Sequence, residues 1–369
     1  MFGDVMKKGF VDGKATALLM MELVQIDSPT GHEKDVAQFV YRKLAAIGAK
    51  PHMDKNWNVS VSIPGRGKPI AFSAHLDTVE PGRGIKPRIK NGFVVSDGTT
   101  ILGADNKSTI ASLLQVSRFL LSNRSHRPVE IIFTVGEELD SRGAMRFNYS
   151  KIKSKECLCF DAANQPLGTV IIGSPAYDTI DIKVKGRAAH ASRPDMGINA
   201  LDAVATFIRE IRMGRWDKFT VFNIGVINGG QVRNTIVGEV TMLGEIRGFK
   251  ESGIKACKKH IESALKSTAK AHKISYEISF KRETPPYLHN KKSSNGLMEY
   301  VGSCMAKEGL KPEFKILWGI SDANTFNSKG LTSLNISAGS LENHTVRERI
   351  SIENMEKINR LILRLAQAI

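Results

Sequence analysis

From residue 176 to 284 the chain reads strand, helix, strand, strand, helix, strand, and few folds accept that order. The segments are YDTIDIKVKG, NALDAVATFIREIR, TVFNIGVING, TIVGEVTMLGEIRG, SGIKACKKHIESALKSTAKAHK and ISYEISFKRE. The strands alternate at period two and the helices space their apolar residues by three and four. This succession predicts the split βαβ arrangement of a small α+β sandwich. The prolines at 285 and 286 then interrupt the chain, and a different rhythm flanks the stretch on both sides. A small domain over 176–284 is therefore expected to be inserted into a larger one built from 1–175 and 285–369. At 369 residues the chain is long for a single core, which suits two.

The flanking parts alternate strands with helices. Residues 14–48 read as two helices separated by DSPTGHE, with Ser28 or Thr30 as cap of the second and Gly48 at its end. NVSVSIPG, PIAFSA, PVEIIFTV and ECLCFDA read as strands, Asn106 to Leu121 as a helix, and SRGAMRFNYS as a short one. A C-terminal amphipathic helix closes the chain. Such alternation predicts an α/β layered domain.

Hydrophobic content of 41% and charged content of 24% are those of a soluble globular protein. No apolar run approaches the roughly 20 residues that cross a bilayer. The first residues also lack the ordered regions of a signal peptide. Four cysteines are too few and too irregular for a disulfide framework. A cytoplasmic protein with reduced thiols is expected, without a membrane partner. The net charge of +16 would attract polyanions. It is dispersed along the chain, however, with no stripe that interleaves it with aromatic residues, so specific nucleic-acid binding is not expected.

Chemistry concentrates where apolar strands end. His75 and Asp77 follow IAFSA, Glu137 and Glu138 follow IIFTVG, and Asp161 follows CLCF; Asp105 and His344 lie in two further polar clusters. Each alone reads as a cap or a solvated turn. Together, two histidines and several carboxylates are the donor set of a pair of borderline divalent ions. Carboxyl ends of parallel strands also line the usual active-site crevice. In an extended segment adjacent glutamates point apart, so one could bind metal while the other faces a water needing a general base. Phosphate-loop, nucleophile-elbow, H-E-x-x-H and dinucleotide signatures are missing.

HLDTVEPG, DGTTILGAD, VGEEL, FDA, GRAAHASRP, GGQVRNTIVGEV, GEIRG, GISDANTF and HTVRERI occur in this order. In that order they resemble the co-catalytic zinc exopeptidases, the family of peptidase T, carboxypeptidase G and the aminoacylases, above all its peptidase-T-like members. The resemblance runs from about residue 20 to the C-terminus. It implies an α/β/α catalytic domain carrying an inserted lid and dimerisation domain, and two divalent ions per subunit, Zn²⁺ first, with Co²⁺ or Mn²⁺ as substitutes. On it, His75 and Asp161 complete one metal site, Glu138 and His344 the other, and Asp105 bridges them. Asp77 orients His75, and Glu137 is the general base. His190, reaching a partner subunit's site, Asn234 and Arg247 contact substrate. Thr109 stands where members usually carry glycine. The implied activity is removal of the N-terminal residue from short peptides by a homodimer. N-acyl-amino-acid deacylation and carboxypeptidase action are alternatives within the family, and a basic nucleic-acid-binding protein on an inactive fold is a remote one.

Overall fold

The apolar runs preceding His75, Glu137 and Asp161 lie side by side as strands Ile70–His75, Val129–Thr134 and Glu156–Cys159, parallel to one another. Thr332–Ile336 continues the parallel set beside Glu156–Cys159. Antiparallel strands flank it, Val59–Ile63 on one side and Thr169–Ser174 on the other. All six residues of Ile70–His75 and of Val129–Thr134 are buried, as expected of strands covered on both faces. This structure is a computed structural model and describes residues 12–123, 125–294 and 296–367. The outer ends of the expected larger domain, 1–11 and 368–369, lie outside the described residues.

The chain forms two compact units. The larger runs to Ile172 and resumes over His289–Ile316 and from Ser321 onward. Helix Ala104–Ser122 is its spine: packed against Ile70–His75, Gly13–Val24 and Ile352–Leu365, it has hardly an exposed side chain. That explains its small residues Ser108, Ala111, Ser112 and Ser117, which permit close approach on several sides. The hydroxyl of Thr109 donates to the Phe160 carbonyl at 3.0 Å, tying the helix to the strand that precedes Asp161.

The smaller unit comprises Gly173–Leu288 together with Leu317–Ile320. Its antiparallel sheet runs Gly214–Asp217, Thr220–Gly229, Glu239–Gly248, Ala176–Lys185, Ser275–Thr284. Helices Ala200–Glu210 and Glu251–His272 cover one face, bringing Phe207 and Leu265 into a core with Ile180, Ile182, Val184, Phe222 and Met242 of the strands. The split βαβ order is present, with Gly214–Asp217 added as an edge hairpin strand. Four residues, the first of them the positive-φ Gly214, gave no periodicity to detect.

The run TVIIGS, which the sequence reading does not single out, is a full strand of the large sheet. Two expectations are corrected. Neither Ser28 nor Thr30 caps helix Lys34–Ala46, which starts after Glu33 with no side-chain cap. Ser28 donates instead to the Leu76 carbonyl at 2.9 Å and Thr30 to Asp77 at 2.8 Å. Finally, Glu137 and Glu138 are not extended but open the helical turn Glu137–Asp140.

Candidate metal centre

His75 is the last residue of its strand and 2% exposed. Its Nδ1 lies 3.0 Å from the carbonyl oxygen of Asp77 and 3.5 Å from that residue's Oδ1. A proton on Nδ1 donated to that carbonyl leaves Nε2 to face Asp105 Oδ1 at 3.2 Å and Asp161 Oδ1 at 3.4 Å. The backbone of Asp77 thus orients the imidazole more closely than its carboxylate does. The carboxylate has closer partners besides: it accepts the N–H of Glu137 at 3.0 Å, the N–H of Glu138 at 3.1 Å and the Thr30 hydroxyl. Asp77 therefore holds the turn that carries both glutamates, a task the sequence reading did not assign. Gly136, at φ 64°, lets the chain curl into that turn.

Asp105 takes extended φ/ψ just inside the start of its helix, so its carboxylate projects from the spine. Its Oδ2 accepts from Asn343 Nδ2 at 2.9 Å and lies 3.5 Å from His344 Nε2. That same nitrogen is 3.1 Å from Glu138 Oε1. Asp161, just past its strand, is held by its N–H donating to Asn335 Oδ1 at 2.9 Å. Donor atoms converge in three overlapping sets, each within 4.8 Å: His75, Asp105 and Asp161; Asp105, Glu138 and His344; His75, Glu137 and Glu138. Asp105 belongs to two of them. The structure brings together all seven residues expected here in the larger unit.

Among the described residues no lysine or arginine forms an ion pair with these carboxylates. Burial, aided by the Asp161 charge, pushes Glu137 well above the usual carboxylate range. Burial likewise lifts Asp161 to about 8. Asp105 goes the other way: burial opposes ionisation, but hydrogen bonds from His344 and His75 hold its carboxyl far below the ordinary value. His344, hydrogen-bonded to Asp105 and Glu138, rises to about 10. Burial would lower His75, yet the Asp161 charge and hydrogen bonds to three aspartates raise it well above normal. A site that retains protons because like charges crowd together is one where cations can displace them. Imidazole and carboxylate donors facing one another, with the buried Asn106 Oδ1 lacking any partner, fit a pair of divalent ions.

Comparison with known proteins gives the family. A family model described as a peptidase dimerisation domain of the M20 class matches residues 172–273, and one for peptidase family M28 matches 58–192. An uncharacterised protein of Bacillus subtilis (strain 168), YqjE, is 30% identical over 355 residues, covering 93% of this chain and 95% of its own. The crystal structure of aminopeptidase PepT from Bacillus cereus ATCC 10987 superposes with TM-score 0.91 at 29% identity, over 97% of this chain and 99% of that one. A tripeptidase from Staphylococcus aureus gives 0.92 at 28%, with the same coverage. The chain belongs to the M20 peptidases.

Within this M20 chain, the substrate residues expected from sequence lie in the smaller unit. His190 and Asn234 occupy paired loops: Ala191 N–H donates to the Asn234 carbonyl at 2.9 Å, and the exposed His190 ring meets Ser192 Oγ at 2.8 Å. Arg247 lies on Glu239–Gly248, half-buried, over the Tyr177 ring and paired with Glu245. Several supporting residues went unread. Asn343 grips Asp105, and the buried Lys107 donates to the Ile26 carbonyl at 2.8 Å. Asp322 binds the hydroxyl of Thr134, next to the glutamate turn. Asp322 lies in the quoted GISDANTF and Asn343 beside His344, so motif membership was the available signal. Their partners are dozens to hundreds of residues distant, beyond any local pattern.

Proposed function

We propose that this protein is a di-metal aminopeptidase that removes the N-terminal residue from short peptides, tripeptides foremost. The supporting observation is the convergence of His75, Asp105, Asp161, Glu138 and His344 around Glu137 at the carboxyl ends of adjacent parallel strands. His75 with Asp161, and Glu138 with His344, would hold one divalent ion each, Asp105 being shared; zinc suits these donors best. Bound ions would supply Lewis acidity and make a water acidic enough to give up a proton near neutral pH, which turns it into a nucleophile for the amide. Glu137 accepts the proton of the attacking water and returns it to the departing amine. Asp77, by holding the Glu137 and Glu138 N–H groups, fixes where that base stands.

His190, Asn234 and Arg247 are read as substrate contacts, the planar guanidinium suiting a peptide carboxylate. Similarity to a peptidase dimerisation domain over 172–273 supports a homodimer. Short peptides, rather than polyanions, are the partners this reading needs. No helix among the described residues is long and apolar enough to cross a membrane, which suits the cytoplasmic location expected.

The test is release of the N-terminal residue from a plain tripeptide by zinc-reconstituted protein, beside its N-acetylated counterpart and an N-acetyl amino acid. Cleavage of the free tripeptide alone, lost in Glu137→Gln, is the expected result. Turnover of only the acylated compounds would replace the assignment with a deacylase, and release of the C-terminal residue first with a carboxypeptidase.

A further inference from the structure

Glu348 is outside all three donor sets, yet it is 1% exposed and fully engaged. Its Oε2 accepts the N–H of Leu102 at 2.8 Å and of Gly103 at 2.7 Å, and its Oε1 accepts the N–H of Asp105 at 2.9 Å. The three donors belong to the loop that delivers Asp105, and Gly103, at φ 70°, turns that loop so they converge. Glu348 itself precedes the short strand Arg349–Ser351, 243 residues beyond Asp105. From the same C-terminal segment, Asn343 donates to Asp105 Oδ2. Asp105 is thus gripped at its main chain by Glu348 and at its carboxylate by Asn343. Both Glu348 oxygens already accept N–H groups, which leaves the residue in the role of a support and not of a ligand.

We propose that Glu348 is a positioning residue for the metal centre: it fixes the Asp105 backbone so that both Asp105 oxygens stay shared between the two donor sets. The inference rests on the metal-centre reading above. Backbone N–H bonds to a carboxylate are charge-assisted and stiff. Groups that orient a metal ligand typically govern about 10–100-fold in metal affinity. The molecule supplies its own control. Glu130, 2% exposed, grips the N–H groups of Lys153 at 3.0 Å and Ser154 at 2.8 Å in the same manner. It does so near the start of Val129–Thr134, whereas the metal donors gather past the other end of that strand.

The experiment is equilibrium titration of the metal-free protein with Co²⁺, read by calorimetry and by the visible spectrum of the bound ion, alongside thermal unfolding. Wild type, Glu348→Gln and Glu130→Gln are compared. Both variants should unfold at lower temperature, but only Glu348→Gln should bind Co²⁺ about 10–100-fold more weakly, with an altered spectrum. Wild-type affinity and spectrum in Glu348→Gln, with only the unfolding temperature lowered, would overturn the proposal. Should that variant fail to fold, Glu348→Asp keeps the carboxylate but shortens its reach to the three N–H groups, with weaker binding expected and unchanged binding contradicting the proposal. If wild type itself binds no Co²⁺, the metal-centre reading fails instead.

Discussion

Asp178 in the smaller unit and the acidic cluster in the larger one are both buried, and the protein answers them in opposite ways. Asp178 has no exposed surface, yet Arg282 and Lys258 both pair with it, and Arg282 continues to Glu251 at 2.6 Å. Asp77, Asp105, Glu137, Glu138 and Asp161 crowd together with two imidazoles and, among the described residues, no ion-paired lysine or arginine. A buried charge that is fully paired is a structural element, and removing either partner leaves the other stranded. Buried carboxylates facing one another are costly in the absence of a cation. The contrast separates charge that serves the fold from charge that serves a ligand.

The largest expected effect tests the acidic side. Glu137→Gln should lower turnover of a tripeptide about 10²–10⁴-fold while leaving the fold and metal content intact. Steady-state kinetics with metal analysis on the same sample checks this. An unchanged rate would remove Glu137 as base. On the paired side, Asp178→Ala should destabilise by about 3–5 kcal/mol, since Lys258 loses its carboxylate and Arg282 keeps only Glu251. In the metal-free protein Asp161→Asn should do the reverse and raise the unfolding temperature at neutral pH. Its carboxyl, lifted to about 8, is a group the fold prefers uncharged. Denaturant unfolding of the two variants side by side would collapse the comparison if both lost stability equally.

Metal removal comes next, taken ion for ion. Chelation is expected to lower stability by about 2.7 kcal/mol for each bound ion, relative to protein held at a hundredfold excess over the dissociation constant. The smallest effect is that of Thr30→Val. It deletes one hydroxyl donated to Asp77 and should cost about 1.5 kcal/mol with a modest fall in turnover. A thermal scan and one kinetic series suffice for that variant.

What could be read from the sequence divides along similar lines. His75, Glu137 and Asp161 were legible because each ends an apolar run, and parallel strands bring such ends together by rule. The inserted sandwich was legible because its strands and helices keep clean periods. Residues whose partners are remote in sequence were not. Glu348, inside the charged string VRERI, looks like surface until Leu102, Gly103 and Asp105 fold against it. Thr30 sits where a helix cap is expected, and tertiary contact with Asp77 overrides that local preference. Glu137 and Glu138 followed a strand, so extended geometry was the natural reading. The αL glycine before them and the Asp77 carboxylate on their N–H groups instead select a helical turn.

The most direct test of the account is the number of divalent ions bound per chain, measured by equilibrium dialysis against Zn²⁺ with elemental analysis of wild type and Asp105→Ala. Two ions per chain in wild type, with the count reduced in the variant because both donor sets lose their shared carboxylate, is the predicted result. One ion or none in wild type, or two in both proteins, would contradict the reading of the buried acidic cluster as a two-ion site bridged by Asp105.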